Sequence, residues 1–325
     1  MNIVVTELIM NSAAESSAVL QQLQCMCSDF GSVLLCGVVR SSEPITKCNR
    51  KHGVQDVLEK AFDKLRPAEP VRLHVSSRTD AGVHALCNTA HFDLELRRRS
   101  TNQPREIPAE NITAAINHYV QDEDIRVIKI TKVPDNFHSQ HRAVRRSYLY
   151  RIAAGCHKFD LPIFERARCW AIRESLDTTA MVQASENFLG THDFSAFRNA
   201  SPDGDLKSPI KTMDRIEFRR DLGFLDHHCP ELDGVEFWEV SFYSKSFLYR
   251  QIRRMMGTLV AVGLGRLAPS DITRILQSRN NGTMHGAIMA PPCGLYLKEV
   301  VYNENEFVTH KPQSPETDGD DSAVT

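Results

Sequence analysis

The order of hydrophobic periodicities between residues 53 and 134 constrains the fold of this chain most. Apolar residues recur at helical spacing over 54–65, and Pro67 ends that run. Alternating segments at 71–75 and 90–96 predict two strands, a second helical pattern covers 112–119, and a last strand covers 125–130. Two helices interleaved with strands in this order predict an α+β unit with mainly antiparallel pairing.

A looser version of the same order follows in the second half of the chain. The pattern predicts strands at 148–152, 238–242 and 295–301, and helices at 177–189, 248–263 and 271–276. We therefore expect an α+β protein with two α/β halves, hinged near 134–143 and facing each other across a central cleft that could hold a large substrate. The predicted division is a segment without clear pattern at 1–40, an N-terminal α+β domain at 41–137, a C-terminal α+β domain at 138–303, and an acidic disordered tail at 304–325.

Composition and charge limit the kinds of molecule that this chain is expected to bind. With 325 residues, 42% hydrophobic and 25% charged, the composition is typical of a soluble globular protein, and no apolar run approaches the length of a membrane span. The net charge of −2 is unevenly distributed, because the two ends of the chain are acidic and arginines cluster at 97–99, 142–151 and 250–254. Such clusters are either solvated faces or contacts for nucleic-acid phosphates.

The nine cysteines indicate neither a zinc site nor a disulfide framework, since no C-x-x-C motif occurs. This pattern predicts a reducing intracellular compartment, without separating a mitochondrial from a nucleo-cytoplasmic one. The nearest approaches to a metal-binding cluster are Cys25-Met-Cys27, His227-His228-Cys229 and His138-Ser-Gln-His141. None has a second ligand pair at a matching spacing, so no metal is expected.

Two separate segments carry the residues that are suited to chemistry. Residues 76–84 place Arg78 and Asp80 just after a predicted strand, where an aspartate serves either catalysis or simple turn closure. The helix that begins near Ser246 carries Arg253 close to its apolar side, where an arginine either pairs with a carboxylate or extends to water. Asp80 is the partner that we expect, because a guanidinium would favour its ionised form and fix its orientation.

These residues resemble the tRNA pseudouridine synthases of the TruA type. The similar blocks occur in family order and cover roughly residues 53–302: SRTDAGVH at 77–84, FHSQH at 137–141, RSYLY at 146–150, LGTHDFSAF at 189–197, FLYRQIRRM at 247–255 and GLYL at 294–297. The whole most resembles the animal branch called tRNA pseudouridine synthase-like.

The resemblance implies the pseudouridine synthase fold and isomerisation of uridine to pseudouridine in tRNA, with no metal or organic cofactor. It implies the essential aspartate at Asp80, the active-site tyrosine at Tyr148 and the active-site arginine at Arg253. It also implies a target in the anticodon arm and a homodimer. The carboxylate would attack C1′ of the ribose or add to C6 of the base, and the sequence does not choose between these routes.

The sequence alone does not decide the roles of two residues that are expected to contact the substrate. Tyr148 would stack on the uracil or relay the C5 proton, with core packing on its strand as the alternative. Arg78 is predicted to fill the gap that a flipped base leaves, on the ground that it lies next to the catalytic segment.

Residues 1–40 depart from the family pattern. The family opens with a strand followed by an aromatic, glycine-rich loop, which only Ser28-Asp-Phe-Gly31 resembles, and residues 20–27 stand where the strand is expected. We therefore expect the sheet to lack this strand and to expose an edge. The alternative function is then a catalytically impaired RNA-binding protein of the same fold. A metal-dependent nucleic-acid hydrolase is a further alternative, although no cluster of carboxylates accompanies Asp80.

Overall fold

The structure, a computed structural model, describes residues 2–6, 53–98, 101, 103–199, 208–221, 223, 234–280 and 287–307. Its helices are α1 (Val54–Asp63), α2 (Ala109–Tyr119), α3 (Thr178–Glu186), α4 (Gln251–Gly263) and α5 (Asp271–Ser278). Its strands are β1 (Asn2–Thr6), β2 (His74–Val75), β3 (His84–Ala85), β4 (Thr89–Asp93), β5 (Lys129–Lys132), β6 (Arg145–Ala154), β7 (Trp170–Ile172), β8 (Gly190–Asp193), β9 (Ile210–Asp221), β10 (Glu236–Ser244) and β11 (Leu295–Val301). The fold is α+β with mainly antiparallel sheets, as predicted.

The first sheet has four strands in the order β2-β4-β1-β5. Helices α1 and α2 pack on one of its faces, where Leu58, Phe62, Ile112 and Ile116 share a buried cluster with Phe92 of β4. The helical spacing of these residues places them on one side of each helix, so their burial holds both helices to the sheet.

The expectation that the chain lacks the opening strand is wrong. Strand β1 lies inside the first sheet and pairs antiparallel with both β4 and β5, for example through Ile3 with Phe92 and Val5 with Ile130. The run Ile3-Val-Val-Thr6 is β-branched and suits a strand, but it lies further from the loop at 28–31 than the family pattern suggests. The strand predicted at 33–39 and the loop itself lie outside the described residues.

The second sheet has the order β3-β11-β6-β10-β9-β8, and β7 also pairs with β6. The central strand β6 pairs antiparallel with β10 and β11. Helix α4 is buried along nearly its whole length in the large core cluster that also contains residues of α3, α5 and β6. A helix enclosed in this way has little freedom to shift, which suits it to position a functional side chain.

The segment between β2 and β3 links the two sheets. Strand β2 belongs to the first sheet, whereas β3 pairs in parallel with β11 of the second, with His84 opposite Tyr296. The predicted domain limits at 137 and 303 stay a prediction. Of the predicted tail, residues Glu304–Phe307 form a short 3₁₀ helix, and the rest lies outside the described residues. Within the described residues, no helix is long and apolar enough to cross a membrane.

Candidate active site

Asp80 lies in the turn that links the two sheets. Its backbone carbonyl accepts a hydrogen bond from the amide of Val83 at 3.0 Å, and Gly82 between them has φ 81, a conformation that favours glycine. The segment is therefore a real turn, yet the carboxylate is directed to another partner. Its Oδ2 lies 3.0 Å from Nη1 of Arg253, and the side chain is 20% exposed. The structure thus brings together the two residues that sequence reasoning paired.

Arg253 is held in place from two sides. Its side chain is 8% exposed, and its Nε donates to the carbonyl of Ala290 at 2.8 Å. The amide of Ala290 donates back to the carbonyl of Arg253 at 3.0 Å. One turn along α4, Gly257 lies against the backbone of Ile288 so closely that a β-carbon would overlap it. The guanidinium is therefore fixed in orientation before it meets Asp80.

Arg250 is a second cation at Asp80 that sequence reasoning did not assign. Its Nε lies 3.7 Å from Oδ2 of Asp80 and has no hydrogen-bond acceptor among the described residues. The residue precedes α4 with φ 60, a left-handed conformation that is unfavourable for a long side chain, and its guanidinium lies 4.8 Å from the ring centre of Tyr249. Unusual backbone geometry beside a carboxylate is a common mark of a functional site.

Tyr148 lies on β6 and is 9% exposed. Its ring meets Phe247 edge-on, with 5.1 Å between ring centres. Burial raises the pKa of the Tyr148 hydroxyl, while the charge of Arg146 and a hydrogen bond with Ser77 act in the opposite direction. The tyrosine thus belongs to the core cluster and also touches the segment that carries Asp80.

Arg146 is a structural residue that sequence reasoning placed in a possible phosphate-binding cluster. It is 8% exposed, and its guanidinium donates to the hydroxyl of Ser77 at 2.9 Å, to the carbonyl of Ser76 at 3.2 Å, to that of Gln140 at 2.9 Å and to that of Lys245 at 2.7 Å. Burial lowers its pKa, but an arginine remains charged. Arg146 therefore fixes the start of the Asp80 turn to residues 134–143, where a hinge was predicted; we call these residues the hinge segment.

Other arginines of the predicted clusters differ in surroundings. Arg151 is mostly buried and pairs with Glu165 at 2.7 Å and Asp221 at 2.8 Å, so it is also internal. Arg97 is paired with Glu95 at 2.8 Å. Arg78 is exposed, two residues before Asp80. The arginine clusters seen in the sequence therefore contain both internal residues and surface residues.

The predicted weak metal signals gain no support. Among the described residues, no group of three or more His, Cys, Asp or Glu side chains is arranged to hold a metal ion. This statement covers His138 and His141, whereas Cys25, Cys27 and residues 227–229 lie outside the described residues.

Comparison with known proteins identifies the family. A family model described as tRNA pseudouridine synthase matches residues 184–303. The chain is 46% identical over 255 residues to tRNA pseudouridine synthase-like 1 of Xenopus laevis, covering 78% of this chain and 84% of that protein. It is 42% identical over 313 residues to the protein of the same name from Homo sapiens, covering 94% and 98%.

A bacterial relative extends the similarity beyond animals. The chain is 36% identical over 250 residues to tRNA pseudouridine synthase A of Paramagnetospirillum magneticum, covering 77% of this chain and 86% of that protein. The chain belongs to the TruA family of tRNA pseudouridine synthases, which are isomerases, and within it to the animal tRNA pseudouridine synthase-like branch.

Proposed function

We propose that this chain isomerises uridine to pseudouridine in tRNA, with Asp80 as the catalytic carboxylate. The observation that carries the proposal is the ion pair between Asp80 and Arg253, 3.0 Å long and set on the turn that links the two sheets. With Arg250 also 3.7 Å away, the carboxylate has two cations beside it. An ionised carboxylate is what both routes to pseudouridine require.

The reaction breaks the N1–C1′ bond, turns the uracil, joins C5 to C1′ and releases the C5 proton. Both arginine contacts of Asp80 use Oδ2. We therefore assign Oδ1 to the attack, whether at C1′ or at C6, while Oδ2 remains anchored. Preorganisation of this kind favours the transition state because the carboxylate needs no reorientation when the reaction begins.

Tyr148 and Arg78 are the proposed substrate contacts beside Asp80 and Arg253. Because burial raises the pKa of Tyr148, its hydroxyl enters the reaction protonated, which favours holding the uracil over removing the C5 proton. Arg78 is exposed two residues before Asp80, where it can enter the gap left by a flipped nucleotide.

The finer features of the proposal rest on family resemblance. They are a uridine in the anticodon arm as the target and a homodimer as the assembly. The proposed intracellular reducing compartment rests instead on the cysteines of the sequence, which form no C-x-x-C motif. The free cysteines Cys87, Cys156, Cys169 and Cys293 are compatible with that compartment.

The test is tritium release from tRNA that carries tritium at uridine C5. We expect release by the intact chain and a loss of about a thousandfold or more in Asp80→Asn, which keeps a hydrogen-bond acceptor for Arg253 but removes the charge. Asp63→Asn, at an exposed position of α1, is the matched control.

Each alternative function has its own outcome. A chain that binds tRNA without releasing tritium is the catalytically impaired RNA-binding protein. Cleavage of RNA that a chelator abolishes would indicate the metal-dependent hydrolase. Equal release by the intact chain and Asp80→Asn would remove Asp80 from the mechanism.

A further inference from the structure

Four histidines, which we call the histidine cluster, lie side by side where the hinge segment meets the first sheet. They are His74 on β2, His91 on β4, and His138 and His141 on the hinge segment. The ring centres of His74 and His91 are 4.9 Å apart, those of His91 and His138 are 4.7 Å apart, and those of His138 and His141 are 4.1 Å apart. His74 and His91 are also direct partners across the β2–β4 pair.

The cluster occupies the face of the first sheet that the helices leave open. On β4, Ala90 and Phe92 are buried under α1 and α2, so the intervening His91 points to the opposite face. His74 and His141 are exposed, while His91 and His138 are half-buried. Strand β2 continues from His74 directly into the turn of Asp80. The histidine cluster is therefore connected to the candidate active site through β2.

Hydrogen bonds fix the ring orientations of the two half-buried members. The amide of Ser139 donates to Nδ1 of His91 at 3.2 Å, and the amides of Gln140 and His141 donate to Nδ1 of His138 at 3.2 and 3.4 Å. Nδ1 of His138 accepts both of its hydrogen bonds, so Nε2 is the atom of that ring that can donate to an anion. Nδ1 of His91 also lies 3.0 Å from the hydroxyl of Ser139, which itself donates to the carbonyl of His74 at 2.5 Å.

The same hinge segment is tied to the catalytic turn. Arg146 binds the carbonyl of Gln140 at 2.9 Å and also holds Ser76 and Ser77. The segment that carries His138 and His141 is thus connected through Arg146 to Ser76 and Ser77, a few residues before Asp80.

The electrostatic surroundings of the cluster are dominated by its own members. Burial lowers the pKa of His91 to about 4, with the charges of His138 and His74 adding to the effect and Asp93 opposing it. Burial also lowers the pKa of His138, and the charges of His141 and His74 lower it further. Closely spaced imidazoles resist joint protonation unless an anion binds beside them.

Among the residues that the structure describes, the charged groups that flank the cluster include Arg142, next to His141, and Asp93, two residues after His91. Arg142 pairs with Glu306 at 3.4 Å, and the hydroxyl of Tyr302 donates to the carbonyl of Ser139 at 2.6 Å. Asp93 is the carboxylate that acts on His91 from β4. A phosphate would supply the negative charge that further protonation of the cluster requires.

From this geometry we infer that the histidine cluster is a phosphate-binding surface for the tRNA backbone, and that it takes up protons as the RNA docks. The inference rests on the proposed function, since it names how the substrate of that site is held. Histidine changes charge between about pH 5 and pH 8, so such a surface would make tRNA affinity depend on pH in the physiological range. Its contribution would also be sensitive to salt, as for other phosphate contacts.

The test is tRNA binding by the full chain, measured by fluorescence anisotropy at about pH 6 and about pH 8 at constant ionic strength. We expect the intact chain to bind about tenfold more tightly at the lower pH, with net proton uptake in calorimetry performed in two buffers. The double variant His74→Asn, His141→Asn should lose most of this pH dependence. His118→Asn, exposed on α2 at the opposite face of the sheet, is the matched control and should keep it.

A further variant keeps the test decisive if the double variant folds poorly. His141→Arg carries a permanent charge at an exposed position, so it should bind tRNA more tightly than the intact chain at about pH 8 and show a smaller gain on acidification. Binding that is independent of pH in the intact chain, or equally dependent in the double variant, would overturn the inference. A chain that releases tritium but binds without pH dependence overturns this inference alone, whereas one that neither binds tRNA nor releases tritium overturns the proposed function.

Discussion

Replacing Arg253 by methionine removes the cation that is hydrogen-bonded to Asp80 while it keeps a long side chain in the core. The two charges are 3.0 Å apart and the arginine is 8% exposed, so the pair is largely shielded from water. Removing one member of a buried pair typically costs about 3–5 kcal/mol. Because Asp80 keeps a fifth of its surface exposed and Arg250 remains 3.7 Å away, we expect the lower end of that range, about 3 kcal/mol.

If the transition state loses most of this stabilisation, tritium release should slow about a hundredfold, since each 1.4 kcal/mol is roughly a factor of ten. Arg253→Lys should slow it about tenfold, because one ammonium group cannot reach both Asp80 and the carbonyl of Ala290 as the guanidinium does. The assay is single-turnover tritium release with enzyme in excess, accompanied by thermal denaturation of each variant. Arg274→Met is the matched control, because Arg274 is 77% exposed and its pair with Asp271 lies within its own helix.

The double variant Asp80→Asn, Arg253→Met shows whether the two residues act together. If they do, adding Arg253→Met to Asp80→Asn should slow the reaction little further. An Arg253→Met variant with the full rate would refute the reasoning, even if its stability fell, because the arginine would then serve folding alone.

Three further predictions concern the surroundings of the site. Arg146→Met leaves the acceptors of the Asp80 turn and hinge segment without their donor, so we expect about 3 kcal/mol of destabilisation and slower tritium release. Gly294→Ala should lower the free energy of unfolding by roughly 2 kcal/mol in denaturant titrations, since a β-carbon would lie 2.7 Å from the carbonyl of Arg151 and 2.8 Å from the ring of Tyr150. Tyr148→Phe should reduce the rate without changing the pH–rate profile between about pH 6 and pH 9, because a raised pKa keeps the hydroxyl protonated throughout that range.

Each of these predictions has a control and a contrary outcome. Arg219→Met, at a residue 70% exposed, should leave both stability and rate nearly unchanged, unlike Arg146→Met. Gly53→Ala meets its nearest atom only at 3.8 Å and should be tolerated; a tolerated Gly294→Ala would show that the backbone there can move. A rate that rises with pH in the intact chain but no longer rises in Tyr148→Phe would indicate that the hydroxyl does act as a base.

The fold could be predicted from the sequence wherever burial imposes a regular spacing on the apolar residues. The helical spacing of apolar residues gave α4 and α5 nearly their observed limits, and alternation gave β11 over 295–301. Strand β9 was missed because it is rich in charged residues and largely exposed, and β3 because two residues form a strand only through the pairing with β11. Strand β1 was missed, although Ile3-Val-Val-Thr6 is β-branched, because the opening strand was expected directly before the loop at 28–31.

The candidate site was partly predictable for a similar reason. The position of Arg253 near the apolar side of its helix indicated a buried cation in need of a partner. Asp80 read alone suited simple turn closure, and the need of Arg253 for a carboxylate favoured a further role for it. Arg250 was not assigned, because its approach to Asp80 depends on a left-handed backbone conformation that the sequence does not signal. Arg146 was predicted to lie in a surface cluster, but it is buried. The neighbouring sequence does not distinguish a buried arginine that donates to carbonyls from an arginine on the surface.

The pairing of β3 with β11 has a consequence for how the enzyme is made. Asp80 and Arg253 are separated by 173 residues, and the strand that completes the second sheet begins only at Leu295. At a synthesis rate of about 5–20 residues per second, a growing chain exposes Asp80 for on the order of ten seconds or more before its arginine emerges. During that interval the ribosome-bound chain carries the carboxylate without its cation and without β11 to hold the turn. RNA near the translating ribosome therefore meets the pair of Asp80 and Arg253 with its supporting strand only after nearly the whole chain has been synthesised.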